Sequence, residues 1–468
     1  MFMNIDNHEP SSTAAIDENG RVLSYGDLSL AVSRMSAKLD NRTLVFAFCE
    51  NSIGSMAGYV SFLSNRTVPL MLDRNIADEA LAELIKTYRP QYLWAPDDAL
   101  IPRNRPIYGE WGYSLLETGC EPVPMHHELA LLVTTSGSTG SPKLVRQSYR
   151  NIESNTKSIV EYLGINAAER PITTLPMNYV FGMSVINSHL SEGATILLTE
   201  KTLMQKQFWQ FLKEHGATSI AGVPYTYEML NKLRFTRMDL PSLGTMTQAG
   251  GKLNPELHRV FAGYAEERNI KFVVMYGAAE ATARMGYLPP ERSLEKWGSM
   301  GIAIPGGRFE LISDDGCIIE SSGTTGELVY YGDNVTLGYA ESSADLLKGD
   351  ERGGRLETGD IAVRDPDGYY SIVGRKKRFL KIYGNRVNLD EMERLLKNRF
   401  DGAECVCCGT DDRMLILVTD SSLAGPVREF AARYTKLNSQ AFAVKTIDAI
   451  PRNEAGKTLY SKLEEHYE

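Results

Sequence analysis

Apolar and polar positions along this chain change period repeatedly, and the changes outline a fold. Leu28, Val32, Met35 and Leu39 recur at helical spacing. Ser24 and Asp27 precede them as N-cap and N3 of a capping box, with Asp27 in the place of the usual Glu. Residues 44–49 are a short apolar run of strand length, and Ile53, Met56, Ala57, Val60 and Leu63 return to the helical period. Further strands are predicted at 91–94, 129–134, 195–198, 219–223 and 271–275, and further helices at 207–214 and 255–268. Strands alternating with helices predict an α/β fold with largely parallel sheets.

The texture changes near residue 300. Turns rich in Gly, Asp and Tyr separate short strands expected at 309–313, 326–331, 361–364 and 369–373, a mostly β subdomain built of hairpins. The basic run Arg375-Lys376-Lys377-Arg378 follows, then a capped helix over 390–400 and a small α+β unit to the end. No internal repeat or low-complexity tract interrupts this order.

Composition narrows the function classes. The 468 residues suit two to four structural units, and 43% hydrophobic residues suit sizeable cores. A net charge of −9 argues against nucleic acid or an anionic membrane as the main partner. The N-terminal MFMNIDNHEPSS lacks a signal-peptide pattern, and no apolar run reaches the ~18–20 residues of a membrane span, so a cytoplasmic protein is expected. The six cysteines match no zinc or disulfide framework; Cys405, Cys407 and Cys408 read as part of a buried strand. His126 and His127 are adjacent and do not share a helix face, which makes them poor metal ligands.

The chemistry is concentrated in Thr134-Thr135-Ser136-Gly137-Ser138-Thr139-Gly140-Ser141-Pro142-Lys143, directly after an apolar strand. Glycines let backbone N–H groups approach oxyanions, hydroxyls donate further hydrogen bonds, and the lysine adds charge. Two residues separate Gly137 from Gly140, and Pro142 precedes Lys143, so this is not the Walker A loop, which has four residues between its glycines.

The segment resembles the phosphate loop of the adenylate-forming superfamily, which contains acyl-CoA synthetases, peptide-synthetase adenylation domains and luciferases. The bacterial AMP-forming acyl-CoA synthetases are the most similar group. The resemblance extends in order from about residue 23 to 463. Leu175-Pro176-Met177-Asn178-Tyr179-Val180-Phe181-Gly182 resembles the L-P-x-x-H-x-x-G segment beside the acyl pocket, with Tyr179 where His is usual. Gly182 stands where peptide-synthetase domains carry the Asp that holds an α-amino group, which points away from α-amino acids. Gly250-Gly251 resembles the turn against adenine. Tyr276-Gly277-Ala278-Ala279-Glu280 resembles Y-G-x-T-E, with Ala279 replacing a hydroxyl that helps hold the α-phosphate. Thr358-Gly359-Asp360 and Gly374-Arg375 match T-G-D and G-R, Lys377 aligns with the hinge, and residues 381–387 resemble the loop lining the thiol tunnel. Gly338-Tyr339 fits the spacing as a structural pair. Pro451-Arg452-Asn453-Glu454-Ala455-Gly456-Lys457 resembles the terminal P-x-x-x-x-G-K.

The resemblance implies a large AMP-binding domain over 1–374, made of stacked mixed and parallel sheets with helices and a β subdomain. It further implies a hinge at 375–378 and a small mobile α+β domain over 379–468. ATP, Mg2+ and a thiol co-substrate, CoA or phosphopantetheine, are implied. Thr135, Ser136, Gly137, Ser138, Thr139, Gly140 and Lys143 would cradle phosphates. Gly250, Gly251, Tyr276 and Gly277 would hold adenine, and Asp360 and Arg375 the ribose and phosphate. Glu280 would bind Mg2+ and Lys457 would act in adenylation. Tyr179, Gly182, Val223 and Gly250 would wall the acid. Arg284 is a candidate anchor for a second carboxylate, although a surface arginine is the plainer expectation. The implied reaction is acyl-adenylate formation followed by thioester formation with CoA. The alternatives are a stand-alone ligase serving an acyl carrier protein and, from another class, a degenerate nucleotide-binding regulatory protein, supported by Tyr179 and Ala279.

Overall fold

The computed structural model describes residues 1–40, 42–99, 106–134, 143–376, 378–383, 385–400, 403–410, 413–452 and 458–466. The chain divides into two compact units, Met1–Arg308 with Tyr331–Leu356, and Phe309–Tyr330 with Glu357–Glu468.

Two sheets dominate the first unit. The nine-stranded sheet has a parallel centre in the order Lys271–Tyr276, Thr245–Gln248, Ser219–Gly222, Pro171–Ile172, Ile196–Leu198 and Thr13–Asp17. Short antiparallel strands border it, Gly286–Tyr287 and Ile302–Ala303 on one side and Val22–Ser24 on the other. In the eight-stranded sheet, Leu44–Cys49, Val68–Asp73 and Leu129–Thr134 run parallel, and Leu144–Ser148 and Gly338–Ala340 extend it antiparallel. Among the described residues no helix is long and apolar enough to cross a membrane.

The main core joins apolar faces of both sheets to the helices Tyr25–Ser36, Ile53–Ser64 and Val180–Leu190. Helix Ile53–Ser64 is buried on every side, so it is apolar all round rather than striped. The capping box forms as read: the Ser24 hydroxyl accepts from the Asp27 N–H at 3.0 Å, and the Asp27 carboxylate accepts from the Ser24 N–H at 3.3 Å.

Several elements correct the sequence reading. The strand expected at 219–223 ends at Gly222, and Val223 caps a helix, Pro224–Lys232, that the pattern did not predict. Helices Tyr149–Leu163 and Val180–Leu190 were also not predicted. The second of these is nearly all buried, which removes the polar stripe that marks a surface helix.

The second unit holds most of a four-stranded sheet made of Arg308–Ile312, Thr325–Tyr331, Arg355–Arg364 and Tyr370–Arg375. It also holds a two-stranded hairpin, Phe379–Ile382 with Asn385–Asn388, and a three-stranded sheet of Cys405–Thr410, Arg413–Val418 and Phe442–Thr446. Helices Leu389–Arg399 and Ala424–Thr435 join this unit. Cys405, Cys407 and Cys408 are buried on their strand, where burial pushes the Cys405 thiol up to about 12.

Arg378 belongs to no solvated charge run. Its guanidinium reaches Asp390 and Glu393 on helix Leu389–Arg399, the latter at 2.8 Å, as well as the Cys407 carbonyl and the Tyr460 hydroxyl.

Candidate active site

Strand Leu129–Thr134 leads into the expected phosphate loop and Leu144–Ser148 leaves it. The two pair antiparallel, Thr134 opposite Leu144. The loop therefore joins two strands, whereas a Walker A loop joins a strand to a helix. Thr135, Ser136, Gly137, Ser138, Thr139 and Gly140 lie outside the described residues, and Lys143 is described.

Strand Gly338–Ala340 pairs with the outgoing strand, Ala340 opposite Leu144. This register brings Tyr339 beside the end of the loop. The Lys143 ammonium lies 3.8 Å from the centre of the Tyr339 ring and 3.8 Å from a Glu341 oxygen. Both partners of that ion pair are exposed, so it is weak enough for a phosphate to displace. On the same ring, the Arg352 guanidinium lies at 4.7 Å. The Tyr339 hydroxyl donates to the Glu280 carboxylate at 2.7 Å, and Arg352 donates to the Glu280 carbonyl at 2.9 Å. Burial and the neighbouring Glu280 push the Tyr339 hydroxyl up to about 12, so it remains a proton donor. The sequence pattern marks Tyr339 only as a structural residue. The signal that would have found it, the strand register, is not local.

Glu280 sits on the short turn Ala279–Ala281, beyond strand Lys271–Tyr276. The next residue but one, Thr282, has φ 65° and ψ −67°, and Ala283 N–H donates to the Ala281 carbonyl at 2.7 Å. This is a γ-turn of the strained hand, costly for a β-branched residue. The Thr282 hydroxyl secures it by donating to the Asn334 carbonyl at 2.7 Å. Gly277 makes the fold-back possible, because a Cβ there would stand 1.7 Å from the Ala283 carbonyl oxygen.

Glu280 fits a magnesium ligand. It is half-buried, one oxygen is taken by a neutral hydroxyl, and among the described residues no cation pairs with it. Mg2+ favours one or two carboxylates together with phosphate and water.

The central strands Ser219–Gly222, Thr245–Gln248 and Lys271–Tyr276 run parallel in register, Gly222 opposite Gln248 and Gln248 opposite Val274. Val223, Gly250, Gly251, Tyr276 and Gly277 thus gather at one edge, the carboxyl ends of parallel strands, where open α/β sheets bind ligands. Gly250 has φ 85°, and a Cβ there would lie 2.7 Å from the Tyr179 hydroxyl and 3.0 Å from Val223 Cγ1. Three of the expected pocket residues, Tyr179, Val223 and Gly250, therefore meet. Gly182 plays a different part. A Cβ there would strike the Pro176 carbonyl oxygen at 2.4 Å, so this position admits no aspartate for a backbone reason.

Arg284 is corrected from a surface residue to a buried one, 1% exposed. Its guanidinium donates to the Ser184 hydroxyl at 2.9 Å and the Tyr162 hydroxyl at 3.3 Å and lies 4.2 Å from the centre of the Phe181 ring. His126 and His127 stand close to Glu128. Their donor atoms and those of Glu128 come within 4.8 Å of one another, because the residues follow no helix. All of this lies in the first unit.

Asp360 and Arg375 lie in the second unit, opposite each other on adjacent antiparallel strands. Arg375 Nε is 3.2 Å from the Asp360 carboxylate. The Thr358 hydroxyl donates to the Leu328 carbonyl at 2.7 Å and accepts from the Asp360 N–H at 3.1 Å, which fixes the turn that presents the acid. Lys377 and Lys457 lie outside the described residues; Arg452 and Thr458, which flank 453–457, pair as an antiparallel bridge.

The chain is similar to known proteins in sequence and in fold. Residues 3–340 match the family described as AMP-binding enzyme. The indoleacetate–CoA ligase of Aromatoleum aromaticum is 28% identical over 447 residues, covering 87% of this chain and 84% of that protein. The 2-succinylbenzoate–CoA ligase of Bacillus licheniformis is 27% identical over 350 residues, 72% of this chain and 70% of that protein. Among solved structures, O-succinylbenzoate coenzyme A synthetase from Bacillus subtilis in complex with AMP superposes with a TM-score of 0.79 at 20% identity, over 99% of this chain and 97% of that one. The chain belongs to the AMP-binding enzyme family, and with it to the adenylate-forming superfamily that its motifs resemble.

Proposed function

We propose that this protein is an AMP-forming acid–CoA ligase: it activates a carboxylic acid with ATP as an acyl-adenylate, releases pyrophosphate, and transfers the acyl group to the thiol of CoA. The observation that carries the reading is the Lys143–Tyr339–Glu280 cluster at the end of the serine- and glycine-rich loop. It sets a cation and a carboxylate around one tyrosine, an arrangement suited to polyphosphate together with Mg2+.

Both reactants are anions, so the protein must neutralise charge and align the attack. Bound Mg2+ would supply positive charge to the departing pyrophosphate. Glu280 is the residue that would hold it, with Tyr339 steering the carboxylate. Lys143 donates to phosphate in place of its weak contact with Glu341. Thr135, Ser136, Gly137, Ser138, Thr139 and Gly140 donate to phosphate oxygens. Gly250, Gly251, Tyr276 and Gly277 take the adenine at the strand ends, and the acid lies against Tyr179 and Val223. Asp360 accepts from the ribose hydroxyls, Arg375 donates to ribose or phosphate, and Lys457 bridges the acid carboxylate and the α-phosphate. Lys377 is the hinge between the two half-reactions. The use of ATP and CoA is compatible with the cytoplasmic enzyme that the sequence leads one to expect.

The test is acid-dependent exchange of pyrophosphate into ATP across a panel of short, long, aromatic and amino acids, followed by CoA-dependent AMP release. Exchange with at least one acid, abolished in Lys457→Ala, is expected. Unchanged exchange in Lys457→Ala would remove that lysine from the mechanism. A carrier protein's phosphopantetheine ends in the same thiol arm. Faster acyl transfer to a carrier than to CoA would reassign the acceptor.

A further inference from the structure

We infer that Arg284 is the specificity-determining residue of the acyl pocket, and that the acid this enzyme activates carries a second, distal carboxylate which the Arg284 guanidinium binds. The inference rests on the ligase reading and names its substrate class.

Arg284 is 1% exposed, yet its side-chain partners are all neutral: the hydroxyls of Tyr162 and Ser184, the Met275 sulfur and the Phe181 ring face. Among the described residues no carboxylate pairs with it, and its Nε has no acceptor. A guanidinium does not give up its proton in a protein, so the charge stays. An isolated buried charge is among the most unfavourable groups a core can hold.

Another buried arginine of the same unit shows what compensation looks like. Arg146 has a fully buried side chain, and it meets the Glu351 carboxylate at 2.5 Å along with several backbone carbonyls. Among the described residues Arg284 has no such acid.

A small cavity, about 20 Å³, adjoins the guanidinium. Arg284 lines it with Ile159, Leu163, Val185 and Ala221. These four apolar liners belong to the same apolar cluster as Val223 and Tyr179, the residues assigned to the acid. Of the other polar liners, Glu169 accepts from the Thr218 hydroxyl instead. His189 is held down to about 4 by burial and stays neutral near pH 7, so it brings no second charge. An anion entering this cavity would meet the Arg284 guanidinium, whose Nε–H awaits an acceptor. A carboxylate matches that planar fork. The substrate is then an acid with an apolar spacer between two carboxylates, one activated and one held by Arg284.

The experiment compares kcat/KM for pyrophosphate exchange in matched pairs: butyrate with succinate, hexanoate with adipate, octanoate with suberate, and 4-methylbenzoate with terephthalate. The wild-type enzyme is expected to prefer the diacid of at least one pair by about thirtyfold or more. Arg284→Met should reverse that preference, losing the diacid by about a hundredfold or more while gaining on the monoacid, and Arg284→Lys should keep part of it. Preference for the monoacid in every pair overturns the inference, as does a folded Arg284→Met protein that loses both acids equally. The wild-type comparison decides even where the variant does not fold. A wild-type enzyme with no acid-dependent exchange in any pair overturns the ligase reading instead.

Discussion

The Tyr339 hydroxyl donates a 2.7 Å hydrogen bond to the Glu280 carboxylate across 59 positions of sequence. The bond occupies one carboxylate oxygen and sets the direction of the other. It also ties the turn that carries Glu280 to the strand beside Lys143.

Removing that bond should loosen the carboxylate without removing it. Tyr339→Phe is expected to lower pyrophosphate exchange about tenfold and raise the Mg2+ concentration needed for half-maximal rate, since a hydrogen bond to a charged group is worth about 1.5–3 kcal/mol. Glu280→Gln should cost more, about a hundredfold or more. Magnesium titration of the exchange rate checks both, and equal Mg2+ dependence in wild type and Tyr339→Phe would show that the tyrosine does not position the carboxylate.

Two glycines predict opposite kinds of failure. At Gly250 an added methyl meets a hydroxyl at the far end of the Tyr179 side chain, and at Gly277 it meets the Ala283 backbone oxygen. Gly250→Ala should cost about 1–2 kcal/mol from its positive φ and raise the KM for ATP. Tyr179→Phe should restore part of the loss by removing the hydroxyl it strikes. Gly277→Ala has no such rescue and should destroy exchange activity. Urea denaturation and exchange kinetics of the single and double variants measure this.

The Arg378 network predicts a stability effect confined to the second unit. Arg378→Ala strands Asp390 and Glu393, the latter 9% exposed, and should destabilise by about 3–5 kcal/mol. Arg378→Met combined with Glu393→Gln should cost less than the sum of the two single changes, because the more buried carboxylate, Glu393, is then no longer left as an unpaired charge. Denaturant unfolding of the full chain provides the comparison.

Two buried histidines predict acid sensitivity. Burial holds His189 and His258 down to about 4, against an ordinary 6.5. The unfolded chain therefore takes up protons between pH 6.5 and 4 that the folded one refuses. Stability is full above pH 6.5 and falls as the pH drops toward 4, by roughly 3 kcal/mol for each histidine at the limit. Urea unfolding from pH 7 to 5 should show the slope, and the His189→Gln, His258→Gln double variant should flatten it.

Much of the first layer was legible in the chain itself. The Ser24–Asp27 capping box, the strand Leu129–Thr134, the helix Pro255–Arg268 and the cysteine strand Cys405–Thr410 are decided by residues near one another. Capping and periodicity act within a few residues, so the sequence displays them directly. The order of motifs from Thr135 to Lys457 likewise determined the family. What the tertiary structure alone decided depends on distant partners. The register of Gly338–Ala340 against Leu144–Ser148 turned Tyr339 from a spacer into a partner of Glu280. The γ-turn at Thr282, fastened to Asn334, buries Arg284 four residues after a half-exposed Glu280. Local sequence sets which conformations a segment can adopt, but burial and pairing are set by what the rest of the chain places against it. For that reason an arginine that reads as a surface residue becomes a buried cation that no carboxylate pairs with among the described residues.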